Sequence, residues 1–308
     1  MKRLFIIFIL VIISWNIKCQ EKYAVLIVGD YAAKISDIPV EDLWNGGKNL
    51  TGPMMEFWND TYLMWELLKS KGYSDENIFI LFANGVDFGI SMPRYTPQEG
   101  IVLTDYAASI DNVIGIFENL YNGTNGIPQI SEDDFLFVWT FGHGHNDNYG
   151  NYSLCLIDGY LQDSVLSPLI NKIPANRKAV WMQQCYGGGF ANSLQSNNLF
   201  FHSASQSDQI AFRADNYTNS NEFYIENDRY NYIECTHGEF NYHVISVNKG
   251  ESPAFQNNYN NISYTYGDLN NDNIISFYET YIWEEFQESV DQADGEEPES
   301  AGHRHRTG

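Results

Sequence analysis

The sequence predicts an α/β fold in which helices flank a mostly parallel sheet. Short apolar runs alternate with amphipathic segments over residues 23–141, an order typical of parallel strands joined by helical crossovers. Two apolar runs, Phe135–Phe141 and Ala179–Gln184, lead into a histidine and a cysteine that have glycines beside them. The 308 residues, 44% of them hydrophobic, suffice for one large domain with a buried core.

The first half of the chain contains two strand-like and two helical patterns. Apolar residues at helical spacing indicate helices, and short apolar runs bounded by turn residues indicate buried strands. The predicted order is a strand at Tyr23–Val28, a helix at Met54–Lys71, a strand at Asn77–Phe82 and a helix at Tyr106–Tyr121.

The second half begins with the Phe135–Phe141 strand and surrounds the cysteine with further elements. Strands are predicted at Tyr152–Ile157, Ala179–Gln184 and Leu199–Ala204, and helices at Gln162–Lys172 and Glu239–Val247. Ligands bind outside the carboxyl ends of parallel strands, so His143 and Cys185 are expected at the same edge of the sheet.

Composition divides the chain into four parts. Residues 1–19 carry Lys2 and Arg3 before an apolar block too short to span a bilayer comfortably, which favours a signal peptide over an uncleaved anchor. Residues 20–250 form the predicted catalytic domain, residues 251–290 a calcium-loop and helix appendage, and residues 291–308 a disordered acidic tail. We therefore expect a secreted or lysosome-like location (periplasmic or extracellular in a bacterium) and no stable membrane span.

The formal net charge of −23 argues against nucleic acid as a partner, because a surface this acidic repels phosphate backbones. Asparagine-linked glycosylation agrees with a secreted route in a eukaryote. The Asn-x-Ser/Thr sites are Asn49, Asn59, Asn122, Asn151, Asn216 and Asn261.

Three cysteines follow the predicted signal peptide, at positions 155, 185 and 235. An odd number in an oxidising compartment leaves one thiol unpaired. The economical assignment pairs Cys155 with Cys235 and leaves Cys185 free, although sequence alone does not fix that geometry.

His143 and Cys185 are the candidate catalytic dyad. A thiol is a strong nucleophile once a neighbouring base lowers its pKa, and histidine is the usual base. Glycines beside both residues permit tight turns, and the backbone N–H groups of Gly144 and Cys185 are candidate oxyanion donors. The alternative is a buried structural thiol and an unrelated loop histidine, but two such residues at adjacent strand ends favour catalysis.

The run Gln183-Gln184-Cys185-Tyr186-Gly187 resembles the caspase signature Gln-Ala-Cys-x-Gly, departing from it at Gln184. Over roughly Tyr23 to Val247 the chain resembles the legumain-like branch of the caspase-like cysteine peptidases. The resemblance implies a caspase-like sheet and a peptidase that cleaves after a chosen P1 residue, with His143 and Cys185 as its dyad.

The same resemblance implies that residues 204–208 lie along the substrate, with Ser205 and Asp208 as substrate-binding residues. Legumains hold the P1 side chain partly through an Arg-His pair, and Asn59-Asp60 stand near that place here. A preference for asparagine therefore does not transfer, and Asp208 suggests a basic or amide P1 residue.

A zinc hydrolase is the distant alternative for the same loop. His143, His145 and Asp147 nearly match the metal motif of metallo-β-lactamase-like hydrolases, but Asn148 replaces the last histidine. No other histidine stands at a recognisable metal spacing, and this hypothesis leaves Cys185 unexplained.

A second motif, at residues 268–279, matches the calcium-loop template. The predicted ligands are Asp268, Asn270, Asp272, Ile274 through its carbonyl, Ser276 and Glu279. Asn273 replaces the usual glycine at position 6 and tolerates the left-handed conformation required there. An Asx-rich turn is the alternative; we predict a stabilising Ca²⁺ ion.

Together these observations predict a secreted cysteine endopeptidase that hydrolyses peptides or proteins through an acyl-enzyme and needs no catalytic cofactor. A catalytically idle, calcium-stabilised interaction protein is the alternative of a different class. Transamidase or ligase activity is a third option, because an amine can open an acyl-enzyme as water does.

Overall fold

The structure is a computed structural model, which describes residues 20–29, 53–88, 95–211, 228–230, 233–235, 237–250 and 267–283. The predicted signal peptide and the predicted acidic tail lie outside the described residues, as do most of the residues around the calcium loop. The glycosylation sites Asn49, Asn216 and Asn261 also lie outside them.

Within the described residues a central sheet of five parallel strands confirms the predicted fold class. Its strands are β1 (Lys22–Val28), β2 (Ile78–Phe82), β3 (Phe135–Phe141), β7 (Arg177–Gln183) and β8 (Leu199–Ser203). They lie in the order β2-β1-β3-β7-β8, so the strands that precede the histidine and the cysteine are neighbours. The middle strands are buried on both faces, which explains their continuous apolar runs.

Helices cover both faces of this sheet. The helices are α1 (Pro53–Ser70), α2 (Ile110–Asn122), α3 (Asp163–Lys172) and α4 (Glu239–Lys249). Helices α1 and α4 pack on one face, where Trp58 and Phe240 join the core, and α2 and α3 pack on the other with Phe117 and Leu166. Residues 277–283 are also helical.

The predicted strand at Tyr152–Ile157 belongs to a separate small sheet. Here β4 (Gly144–Asn146), β5 (Tyr152–Leu156) and β6 (Gly159–Gln162) pair antiparallel. Leu154 and Leu156 of β5 face the core shared with α2 and α3. This sheet begins directly after His143 and anchors the histidine loop. A further antiparallel pair joins β9 (Asp228–Tyr230) to β10 (Ile233–Cys235).

The second helix begins at Ile110, four residues later than predicted from Tyr106. Tyr106 instead forms an isolated parallel bridge with Leu81, and the Asp105 carboxylate accepts a hydrogen bond from the Ile80 N–H (2.8 Å). Ser109 then caps the helix by accepting the N–H of Asn112. Side-chain bonds to the neighbouring strand therefore override the helical periodicity of residues 106–109.

No helix in the described ranges is both long and apolar enough to cross a bilayer.

Candidate active site

The register of β3 and β7 places His143 and Cys185 side by side. Phe141 pairs with Gln183 at the carboxyl ends of these neighbouring strands. His143 and Cys185 are each the second residue beyond that pair, and the N–H of Gly142 donates to the carbonyl of Gln183 (3.3 Å). The two chain segments therefore leave the sheet together at the same edge. Both residues are partly accessible to solvent.

Gly144 makes the contact between the histidine loop and the cysteine loop. A Cβ atom added at Gly144 would lie 1.9 Å from the carbonyl oxygen of Cys185 and 3.0 Å from the Gln184 side chain. Backbones that approach this closely leave no room for any side chain. Glycine after the histidine is thus a steric requirement of this site.

The Cys185 loop is a tight, internally bonded turn. Tyr186 has a φ of 62°, which lies in the left-handed region that side-chain-bearing residues seldom adopt. The N–H of Gly187 donates to the Gln184 carbonyl (3.2 Å) and to the Ser205 hydroxyl (3.1 Å). The chain therefore turns sharply directly after Cys185, at the end of β7.

The histidine loop is held by an aromatic ring and by a strand. The rings of Phe57 and His143 meet edge to face with centroids 5.8 Å apart. On the other side, the N–H of Cys155 donates to the His143 carbonyl (2.9 Å), which extends the β4–β5 register by one pair. Phe57, on α1, was not among the site residues predicted from the sequence.

The pairing of β4 with β5 determines the direction of one of the two predicted oxyanion donors, the N–H of Gly144. Successive residues of an antiparallel strand alternate between pointing toward and away from their partner. Because His143 and Cys155 form a hydrogen-bonded pair, the N–H of Gly144 is directed away from β5. The oxyanion role of Gly144 and Cys185 stays a prediction.

Ser205 supports the cysteine loop from within. It is completely buried, and its hydroxyl donates to the Gln184 carbonyl (2.9 Å) while accepting from Gly187. This corrects our expectation of direct substrate contact through its side chain.

Asp208 lies exposed at the same edge as the dyad. Ser207 comes directly before Asp208, and its carbonyl accepts a hydrogen bond from the side-chain amide of Asn146 in β4 (3.2 Å). The segment carrying Asp208 therefore borders the histidine loop, and its role in substrate binding stays a prediction.

Cys155 carries a buried free thiol, so the predicted pairing with Cys235 is wrong. It lies on β5 opposite His143, within the small sheet. Burial raises the pKa of this thiol to about 11, and the nearby Cys185 adds a smaller contribution in the same direction. Cys155 is therefore a poor nucleophile near neutral pH.

A fully buried polar network supports β7 from the α1 face. The Asp60 carboxylate accepts from His237 Nδ1 (2.6 Å), the N–H of Gly238 (2.8 Å) and the Asn241 amide (2.9 Å). The N–H of Asn241 in turn donates to the Gln183 side chain (3.0 Å), two residues before Cys185.

The sequence signal for this network is Asp60, a carboxylate that stands among the apolar residues on the buried side of α1. Asn59, the neighbouring glycosylation site, is also completely buried, which corrects that prediction. A glycan on this side chain would have no room in the folded core.

The candidate zinc residues are otherwise engaged. His145 stacks on Tyr160 with ring centroids 4.6 Å apart, and the Asp147 carboxylate accepts N–H groups from Tyr149 (2.8 Å) and Asn151 (3.1 Å). Across the described part of the chain, no group of three or more His, Cys, Asp or Glu residues is placed to hold a metal ion. The geometry gives the zinc hydrolase no support.

The predicted calcium loop is closed by its own carboxylates. Asp268 accepts the N–H groups of Asp272 (3.1 Å) and Asn273 (2.8 Å), and Glu279 accepts the N–H of Leu269 (3.0 Å). Asn273 has a φ of 64°, the left-handed conformation expected at position 6. Ile275 packs against Val247 and Trp283. Asp268, Asp272 and Glu279 are described residues and are not gathered here as a group placed to hold a metal ion, so calcium binding stays a prediction.

Comparison with known proteins adds little to this geometry. No family model matches the chain, and no curated protein matches it. One solved structure that resembles the fold is the crystal structure of caspase-1 from Spodoptera frugiperda, which is 11% identical. The match covers 76% of this chain and 72% of that chain, with a TM-score of 0.40. The function of this chain must therefore be argued from its own residues and their geometry.

Proposed function

We propose that this protein is a cysteine endopeptidase of the caspase-like type, with Cys185 as nucleophile and His143 as general base and acid. The observation that carries the proposal is the β3–β7 register, which sets both residues at equivalent positions beyond paired strand ends. The contact of Gly144 with the Cys185 carbonyl supports the same assignment, because it fixes the two loops against each other.

The reaction proceeds by nucleophilic catalysis. His143 takes the proton of the Cys185 thiol, and the sulfur attacks the scissile carbonyl carbon while the Gly144 and Cys185 N–H groups stabilise the oxyanion. The amine then leaves with the proton from His143, and an acyl-enzyme remains. Water, activated by His143, hydrolyses the acyl-enzyme and restores the thiol.

The finer assignments rest on the sequence. The strand-His143-Gly144 and Gln183-x-Cys185 elements favour the legumain-like branch, and the apolar N-terminal block favours secretion. The exposed Asp208 carboxylate favours a basic or amide P1 residue by charge and hydrogen bonding. Cleavage of a peptide library mostly after acidic residues would exclude this P1 preference.

Labelling by a peptidyl acyloxymethyl ketone tests the dyad. We expect wild-type protein to be labelled at Cys185, His143→Ala to lose labelling, and Cys155→Ser to keep it. The pKa of about 11 for Cys155 leaves its thiol protonated at neutral pH, so label on Cys155 should be negligible.

Two outcomes would contradict the proposal. If His143→Ala were labelled as fast as wild type, His143 would not activate the thiol. If Cys185 reacted no faster than free cysteine, the idle interaction protein would be favoured. Peptide products with an added amine would instead indicate transamidation.

A further inference from the structure

A cavity of about 300 Å³ lies at the opposite edge of the sheet from the dyad. It opens between α1, the first residues of β1 and β3, and residues 275–277. Its volume is at the lower end of the range found for small-molecule sites. Nothing in the proposed peptidase reaction uses it.

The walls of the cavity are mainly apolar and aromatic. Phe277 stacks on Phe135 with ring centroids 6.0 Å apart and meets Trp181 edge to face at 5.4 Å. The apolar and aromatic lining residues are Met64, Leu67, Leu68, Tyr73, Phe135, Phe137, Trp181, Ile275 and Phe277. An apolar chain or ring of a ligand would be removed from water here.

Two lysines lie at the same cavity. Lys22 donates from Nζ to the carbonyl of Lys71 (2.7 Å), and neither ammonium has a carboxylate partner among the residues that the structure describes. Partial burial lowers the pKa of Lys71, and the charge of Lys22 lowers it further. Lys22 Nζ also lies 5.7 Å from the centre of the Tyr73 ring. The chain has 40 acidic and 17 basic residues, so two lysines without a carboxylate partner among the described residues are unexpected, and an anion would neutralise both.

We propose that this cavity binds a small amphipathic carboxylate. The carboxylate lies at Lys22 and Lys71, and its apolar chain lies against the aromatic wall. A fatty acid of medium chain length has this arrangement of groups. The site is independent of the proposed peptidase activity.

Calorimetric titration of the full chain with decanoate and decyltrimethylammonium, below their micelle concentrations, tests the proposal. We expect decanoate to bind and the cation, which has the same apolar chain, not to bind. Lys71→Met should weaken decanoate binding about tenfold, the value of a hydrogen bond to a charged group.

Matched controls separate this site from general effects. Lys69 lies two residues before Lys71, in the last turn of α1, but it pairs with Asp75 (2.8 Å) and does not line the cavity, so Lys69→Met should bind like wild type. Cys185→Ala should also bind like wild type, whether or not the protein is a peptidase. Binding of the cation, or equal losses in Lys69→Met and Lys71→Met, would overturn the proposal. Failure of decanoate to bind would overturn it as well.

Discussion

At the residue scale, Asp60 is the buried carboxylate at the centre of the polar network that supports β7. Its carboxylate is completely buried and satisfies donors from His237, Gly238 and Asn241. His237 also contacts the hydroxyl of Tyr95 through Nε2 (3.1 Å). Asp60 and His237 together thus join α1, α4 and the segment that contains Tyr95. A buried charge is tolerated only when it is paired in this way.

Asp60→Ala is expected to lower the free energy of unfolding by about 3–5 kcal/mol, because it leaves several buried donors without an acceptor. Urea denaturation followed by circular dichroism measures this change. Asp75→Ala provides the control, since it breaks an exposed pair with Lys69 that is worth less than about 1 kcal/mol. Similar losses in both variants would show that Asp60 is not the centre of the network.

At the element scale, the site is built where two strands end in register. Strands β3 and β7 pair from Phe135–Arg177 to Phe141–Gln183, so a slip of one residue would move His143 away from Cys185. The small sheet that begins with Gly144 then holds the histidine loop in place. The dyad is therefore positioned by backbone hydrogen bonds of rigid elements.

Gly144→Ala is expected to abolish Cys185 labelling and to destabilise the fold by about 1–3 kcal/mol, the usual cost of overpacking. The new methyl group would lie 1.9 Å from the Cys185 carbonyl oxygen, so the two loops must separate. Gly115→Ala on α2 is the control, because nothing lies within 4 Å of its added Cβ. That variant should keep labelling and be stabilised by roughly 0.5–1 kcal/mol. Normal labelling of Gly144→Ala would contradict the close contact between the loops.

At the scale of the whole molecule, the two edges of the sheet carry different features. The dyad lies beyond the carboxyl ends of the strands, whereas the cavity and residues 275–277, which lie within the predicted calcium loop, lie toward the other edge. Ile275 joins that loop to α4 and to the helical residues 277–283 by packing on Val247 and Trp283. An ion in the loop would therefore stabilise the fold without touching the dyad.

Calcium is expected to raise the thermal midpoint of unfolding measured by scanning calorimetry. An ion at a hundredfold excess over its Kd stabilises the folded state by about 2.7 kcal/mol. Glu279→Gln should remove most of this gain, because it neutralises the predicted ligand at position 12 of the loop. Equal midpoints in calcium and in chelator would show that residues 268–279 form only an Asx-rich turn.

The sequence by itself determined the main elements of the fold. The strands at residues 135–141 and 78–82 and the helix at residues 53–70 were predicted within one residue, because their apolar periodicity is local and uninterrupted. The same logic placed His143 and Cys185 at one sheet edge. Strand ends followed by glycine are visible in the sequence without any knowledge of distant contacts.

Only the tertiary structure decided how side chains far apart in the chain are used. Asp60 meets His237 across 177 residues, and Ser205 turns inward to the cysteine loop. Cys155 is buried in β5 and stays a free thiol, and Trp181 lines a cavity formed by several elements. Local patterns specify helices and strands, whereas burial and long-range pairing depend on which elements pack together, and no local pattern encodes that choice.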